Sequence, residues 1–298
     1  MKIYDCFTYD GEECLDLRLR AHWDRVDVFV IVEGGVTFSG LPKSLTFDPV
    51  RHAWAGSKIR YVPLEAAEFA ACETSWERER LQRNALRRGY ADAAADDLVI
   101  IADVDEVIRP ACMTAAAPGE LRVFEQLMLY FYCDYLQVSE PFWCKAVAVS
   151  GATALQHSPE DLRNSKVLRQ TLRETRVPDA GWHFSYLGGM DVIEKKLERF
   201  SHQNLNKPRY RDRERNLARL YAGKDIYRRA RRWGRVNMGR SGFTDPVVQN
   251  WFDQRPALWA PKDIRFAGEL QLVLEAARRQ SKALRAWHKF WLRLWNAF

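Results

Sequence analysis

Residues 98–106 read LVIIADVDE: an apolar run that ends in three carboxylates within four positions, Asp103, Asp105 and Glu106. An unbroken run of β-branched residues suits a strand buried on both faces, as in a parallel sheet. Residues 26–32 (VDVFVIV) carry the same signal, and residues 2–6 (KIYDC) and 58–62 (KIRYV) read as further strands. Between them, residues 12–23 (EECLDLRLRAHW) place Cys14, Leu15, Leu17, Leu19 and Trp23 roughly along one helical face, and residues 75–95 form a charged amphipathic helix. Strand–helix alternation of this kind predicts an α/β sandwich with a mostly parallel central sheet. In open α/β sheets ligands bind beyond the carboxyl ends of the strands, which puts the acidic run at a candidate site.

The remainder is less regular. Residues 121–132 and 145–149 read as strands, and residues 179–186 (DAGWHFSY) end another. A charged helical pattern runs from Asp191 to about residue 232, residues 234–263 read as irregular, and the pattern from 267 is helical again. In that tail Leu284, Trp287, Trp291, Leu294, Trp295 and Phe298 recur at three- and four-residue steps, with Arg278, Lys282, Arg285, Lys289 and Arg293 on other faces. A basic amphipathic helix with tryptophans either lies in a membrane interface or packs back on its own domain. The expected organisation is one α/β domain over 1–265 and a C-terminal helix over 266–298.

The chain has 298 residues, 47% of them hydrophobic, and 46 Lys plus Arg against 39 Asp plus Glu, a net charge of +7. Such a composition excludes a disordered chain, a collagen and a disulfide-stapled miniprotein. The basic balance points to an anionic partner: nucleic acid, an acidic membrane surface or a phosphorylated small molecule. The six cysteines contain no C-x-x-C pair, which argues against a thiolate zinc site and for reduced thiols in a cytoplasmic protein. The opening MKIYDCFTYDGEE lacks the apolar run of a secretion signal, and no stretch is long and apolar enough to predict a transmembrane helix.

Side chains at i and i+2 of an extended segment can reach one ion, so Asp103 and Asp105 make a hard oxygen site suited to Mg²⁺ or Mn²⁺. An ion there clamps the phosphates of a nucleotide and neutralises charge that grows as they leave. The competing reading is an acidic turn that caps the next element. His183, in GWHFS, is either a nitrogen ligand completing a mixed shell or a core histidine. An arginine on the inner face of the 76–84 segment, such as Arg83, can pair bidentately with a diphosphate or form ordinary i,i+4 ion pairs. Trp143, Trp182 and Tyr186 either stack on sugar faces or fill the core. A P-loop, a G-x-G-x-x-G and a G-x-S-x-G elbow are all missing from the sequence, which removes P-loop nucleotidases, Rossmann dehydrogenases and elbow-type serine hydrolases.

Together, VDVFVIVEGGVTFSGLPKSLTF, DDLVIIADVDEV, GWHFSY and MDVIEKKLERFSHQN resemble, in order, the motifs of glycosyltransferase family 17, over roughly residues 1–260. The resemblance implies a GT-A fold and a metal-dependent, inverting transferase of a nucleotide sugar, UDP-GlcNAc in the characterised branch. It assigns Asp103 and Asp105 to the D-x-D, His183 to the metal or diphosphate and Glu33 to the nucleotide; with Arg83 and Trp182 from the reading of the residues above, the expected donor-binding set is Glu33, Arg83, Asp103 and Trp182. For the base that takes the acceptor proton it favours Asp191, then Glu194; a helix N-terminal acid favoured by the macrodipole is the plainer role for either. Val107-Ile108-Arg109-Pro110 departs from the family's I-P, and the eukaryotic stem and anchor have no counterpart here. The expected acceptor is therefore a glycan or a lipid-linked saccharide, and the expected location the cytoplasm, with peripheral contact at the inner face of the membrane.

Two other functions fit parts of the sequence. Asp103-Val104-Asp105-Glu106-Val107 matches the D-x-D-x-[TV] of haloacid-dehalogenase phosphatases, but it starts a third of the way in and lacks their later acidic pair. The Arg-rich segment 209–235 has the charge of a nucleic-acid-binding surface, but without a zinc finger, helix-turn-helix or RNA-recognition signature no nucleic-acid partner is expected.

Overall fold

A computed structural model describes residues 1–189, 192–193, 208–239 and 243–279. The chain divides into two units: one of Met1–Gln126 and Trp143–Trp182, the other of Leu127–Phe142 and the described residues from His183 onward. Its strands are β1 (Ile3–Tyr9), β2 (Val28–Gly34), β3 (Ile59–Leu64), β4 (Leu98–Asp103), β5 (Glu106–Ile108), β6 (Glu120–Phe124), β7 (Gln126–Tyr130), β8 (Tyr135–Gln137), β9 (Phe142–Trp143), β10 (Val147–Ser150), β11 (Arg173–Val177), β12 (Gly181–Ser185), β13 (Trp233–Asn237) and β14 (Phe266–Glu269). The helices that matter for the site are α1 (Cys14–His22), α2 (Ser75–Asn84), α3 (Gly151–Gln156) and α4 (Pro159–Asn164).

The first unit is built on a seven-stranded sheet in the order β11-β6-β10-β4-β1-β2-β3. Its β4-β1-β2-β3 half is parallel throughout, β10 runs antiparallel to β4 and β6, and β11 is parallel to β6. The period of two in the strands sorts their side chains onto two faces. Val28, Val30, Val32, Val99 and Ile101 join Leu86 and Tyr90 on one side. Phe29, Ile31, Leu98 and Ile100 join Leu15 and Leu19 of α1 on the other. Each such side chain contributes about 1.5–3 kcal/mol on burial, so the apolar runs that predict the strands also hold the layers together. This is the α/β class with a largely parallel sheet that the sequence predicts.

Several boundaries differ from the sequence pattern. The helix expected over 75–95 starts on a Thr74–Glu77 capping box but ends at Asn84 and tightens into a 3₁₀ turn, Ala85–Gly89. There the backbone approaches β2 so closely that a Cβ on Gly89 would lie 2.1 Å from Val30 Cγ1. The strand expected over 121–132 is two strands, because Glu125 pairs through its backbone with Val177 and Ala180.

In the second unit β13 pairs in parallel with β14 and antiparallel with β8. The 233–237 and 246–253 segments, expected to be irregular, are β13 and a helix, Pro246–Asp253. Residues 266–269, placed at the start of a C-terminal helix by the pattern, form β14, and the helix begins at Leu270. Residues 280–298 of the amphipathic tail lie outside the described residues. All six cysteines are free thiols, three of them buried. Among the described residues no helix is long and apolar enough to cross a membrane.

Candidate active site

Asp103 is the last residue of β4 and pairs in register with Thr8 at the carboxyl end of β1. The turn after it is locked by its own sequence: Glu106 Oε2 accepts the Asp103 N–H at 2.8 Å. Glu106 is fully buried, and its carboxylate is taken by Arg163 of α4 at 2.7 and 2.8 Å and by the Trp143 indole N–H. Ser158 caps α4 and Pro159 opens it, which fixes the helix that presents Arg163. Glu106 is therefore a structural acid.

A second arginine underpins the turn from below. Arg18 of α1 is fully buried and forms a two-point ion pair with Asp5, Nε donating at 2.9 Å. Its Nη1 donates to the carbonyls of Asp103 at 2.9 Å and Glu106 at 2.7 Å, so one guanidinium ties β1, α1 and the acidic turn together. Burial alone would raise the Asp5 pKa, but Arg18 and His22 outweigh it and hold the carboxyl well below its usual range. Burial pushes the His22 pKa down, more than Asp5 pulls it up. His22 Nδ1 lies 2.7 Å from the Asp5 carboxylate, and Nε2 lies 2.9 Å from the Ile108 carbonyl and 3.1 Å from the Ile108 N–H, which pins β5.

Asp103 is one-third exposed and faces two cations. Arg163 Nη2 lies 2.6 Å from Oδ2, and Arg83 Nη2 lies 3.4 Å from Oδ1. Arg83, on α2, also binds Glu79 at 2.7 Å and Glu160. Burial weakens the hold of Arg83 on its proton, but Asp103, Glu79 and Glu160 more than restore it; Asp103 and Glu106 do the same for Arg163. Of the expected set the structure thus brings together Asp103 and Arg83, with Asp105 buried two residues on in the same turn.

The other expected residues fall elsewhere. Glu33 ends β2 fully buried, and its oxygens accept from Thr46 N–H and Oγ1 at 2.7 Å, Phe47 N–H and Tyr61 OH at 3.0 Å, and Lys43 at 3.0 Å. It clasps the loop after β2 to the sheet. Trp182 is fully buried with the Arg109 guanidinium 4.3 Å from its ring centroid, and its carbonyl accepts from Gln126 at 3.2 Å. Tyr186 packs edge-on against Tyr130 at 4.9 Å and its hydroxyl meets that of Tyr227 at 3.1 Å. His183 is buried on β12 and belongs to the second unit. Asp191 and Glu194 lie outside the described residues.

Among the described residues no three His, Cys, Asp or Glu side chains gather closely enough to hold a metal by themselves. Magnesium-type sites need only one or two carboxylates when phosphate oxygens and water complete the shell. Asp103, one-third exposed at the edge of a buried ion-pair network, is a hard oxygen donor of the kind such an ion takes.

Arg18 and Arg163 escape a reading of the sequence as site residues. Arg163 has no local signal, since its partner Asp103 is 60 positions away. Arg18 had one: with Leu15, Leu19 and His22 it occupies the buried stripe of α1, where a charge needs a partner.

The acidic turn closes the carboxyl end of a parallel strand, the place where open α/β sheets bind their ligands. Residues 1–230 match the profile of glycosyltransferase family 17. The chain belongs to that family. No curated protein sequence matches it significantly. Among solved structures it is similar to the galactosyltransferase LgtC, crystallised in complex with donor and acceptor sugar analogues, at 17% identity and a TM-score of 0.30. That likeness covers 57% of this chain and 65% of the LgtC chain, a little under two thirds of its length.

Proposed function

We propose that the protein transfers a sugar, GlcNAc on the family motifs, from a UDP-sugar to a hydroxyl of a glycan or lipid-linked acceptor, with inversion and with Mn²⁺ or Mg²⁺. The observation that carries this reading is the Asp103–Glu106 turn, in which Glu106 and Arg18 hold the backbone at the carboxyl end of β4. Asp103 and Asp105 are the residues to hold the ion, and it supplies the positive charge that stabilises a departing diphosphate. Arg83 and Arg163 add a fixed field of the same sign beside Asp103. Because both guanidiniums are buried and already oriented, they need no reorganisation when charge develops.

Inverting transfer also requires a base on the sugar face opposite the diphosphate. Asp191 is the first choice and Glu194 the second, on the position they share with acids of the family motif. The reading places the enzyme in the cytoplasm, with its basic C-terminal segment against anionic lipid where a lipid-linked acceptor resides.

Calorimetric titration of UDP-GlcNAc, UDP-glucose, UDP-galactose and GDP-mannose, with and without Mn²⁺, tests this. One UDP-sugar is expected to bind in a metal-dependent manner, and Asp105→Ala is expected to abolish that binding while leaving the melting temperature near wild type. Equal binding by Asp105→Ala, or binding indifferent to chelation by EDTA, overturns the assignment of the acidic pair.

A further inference from the structure

Strand register brings one more cation to the carboxyl end of β4, inside the first unit. Strand β10 runs antiparallel to β4, with Ala148 opposite Ile100 and Val147 opposite Ile101. Continued along the same ladder, that register sets Lys145 opposite Asp103. Val147 and Ile101 are buried on one face of the sheet, against Leu81 of α2 and Leu162 of α4. The two-residue period sends the side chains of Lys145 and Asp103 toward that same face. The hydrogen bond that Lys145 Nζ donates to Asn164 Oδ1 of α4, at 3.0 Å, agrees with this direction. The segment also touches the acidic turn itself, through the Trp143 indole on Glu106.

A strap on α4 joins Lys145 to the ion pairs around Asp103. Asn164 Nδ2 donates to Glu160 Oε1 at 2.9 Å, and Glu160 Oε2 accepts from Arg83 Nη1 at 2.5 Å. Arg83 Nη2 lies in turn 3.4 Å from Asp103. The three cations here differ in what they face. Arg83 pairs with Glu79, Asp103 and Glu160, and Arg163 with Asp103 and Glu106. The half-buried Lys145 ammonium has a neutral amide oxygen as its acceptor and forms no ion pair among the described residues. An ammonium carries three N–H donors, and one amide oxygen satisfies one of them. Burial first, then Arg163, Arg169 and Arg83, weaken its hold on its proton; Glu106 acts the other way but is already filled by Arg163, Trp143 and the Asp103 N–H. A cation so surrounded gains from an anion at the strand end.

We propose that Lys145 is a donor-binding residue whose ammonium contacts a phosphate oxygen of the nucleotide diphosphate beside Asp103. The identity of the ligand rests on the transferase reading, and the anion contact rests on the place of the lysine at the strand end. Lysine meets phosphate as a compact point charge with rotatable donors, which suits an oxygen positioned by other contacts.

The test is calorimetry on the full chain with Mn²⁺ present, using UDP and inorganic pyrophosphate as probes. Lys145→Met keeps the stem of the side chain and removes its charge. It is expected to bind both probes about tenfold less tightly, and Lys145→Arg to recover most of that affinity. No carboxylate loses an ion-pair partner, so the melting temperature of Lys145→Met is expected to stay near wild type. A merely structural lysine would instead lower it. Metal-dependent UDP binding that is unchanged in Lys145→Met overturns the proposal and leaves the donor reading standing. A loss that Lys145→Arg does not repair also overturns it. If wild type binds pyrophosphate but not UDP, and Lys145→Met still weakens that binding, the anion contact stands and the donor reading fails. Failure of wild type to bind either probe overturns both.

Discussion

Asp5 touches no residue expected to meet substrate, yet it anchors both groups that hold the acidic turn, Arg18 and His22. Asp5→Asn leaves a fully buried guanidinium short of its counter-charge, and removing one partner of a buried pair costs about 3–5 kcal/mol. Urea denaturation at neutral pH is expected to show a loss of that order, with weakened donor binding. The pH dependence has a definite sign. The native Asp5 pKa is depressed, so its contribution is present above the unfolded value, about 3.9, and is lost as pH falls towards the lower native value. Wild type should therefore lose stability steeply below about pH 4, and Asp5→Asn should show a shallower acid limb. An identical acid limb in both proteins would contradict this account.

Among the elements, β12 explains why the GWHFSY motif opens on glycine. Gly181 has φ +130°, and a Cβ there would lie 2.2 Å from the Val107 carbonyl and 3.0 Å from the Arg109 N–H. Both the backbone conformation and the close approach to β5 exclude a side chain. Gly181→Ala is expected to destabilise the fold by about 3 kcal/mol or more, combining overpacking with left-handed strain. Gly119→Ala is the comparison. Its φ is +72° but its Cβ would meet open space, so only the backbone cost of about 1 kcal/mol applies. Similar melting temperatures for the two variants would show that contact with β5 adds nothing. Because β5 contains Glu106, Gly181→Ala is also expected to weaken donor binding where Gly119→Ala does not.

For the whole molecule, a second buried acid sets the other edge of the stability range. Burial pushes the Asp134 carboxyl up to about 6, against one N–H from Ala260 at 2.8 Å. A raised native pKa contributes stability that is present below the unfolded value and is lost as pH rises through the native one. Asp5 and Asp134 therefore act in opposite directions, and between them they set an optimum near about pH 4. A shift of about two units corresponds to about 3 kcal/mol, so Asp134→Asn should flatten the decline between about pH 4 and 6. Chemical denaturation across that range checks it. A wild-type curve that stays level from about pH 4 to 6 would rule out the burial of a charged Asp134.

The sequence by itself determined the first unit's layers and the place of the acidic pair. VDVFVIV and LVIIA are strands because β-branched runs buried on both faces have few other solutions, and the D-x-D falls at a strand end because the apolar run stops there. Four ordered motifs likewise identified the family. What the tertiary structure decided is which acid is structural and which cations hold the site. Arg163 meets Asp103 across 60 positions and Arg18 meets Glu106 across 88. No local period encodes such pairs, since they exist only once the sheet order sets α1 and α4 against the end of β4. The alternation that makes a strand depends on near neighbours, whereas the pairing of buried charges depends on which distant segment packing brings within hydrogen-bond reach.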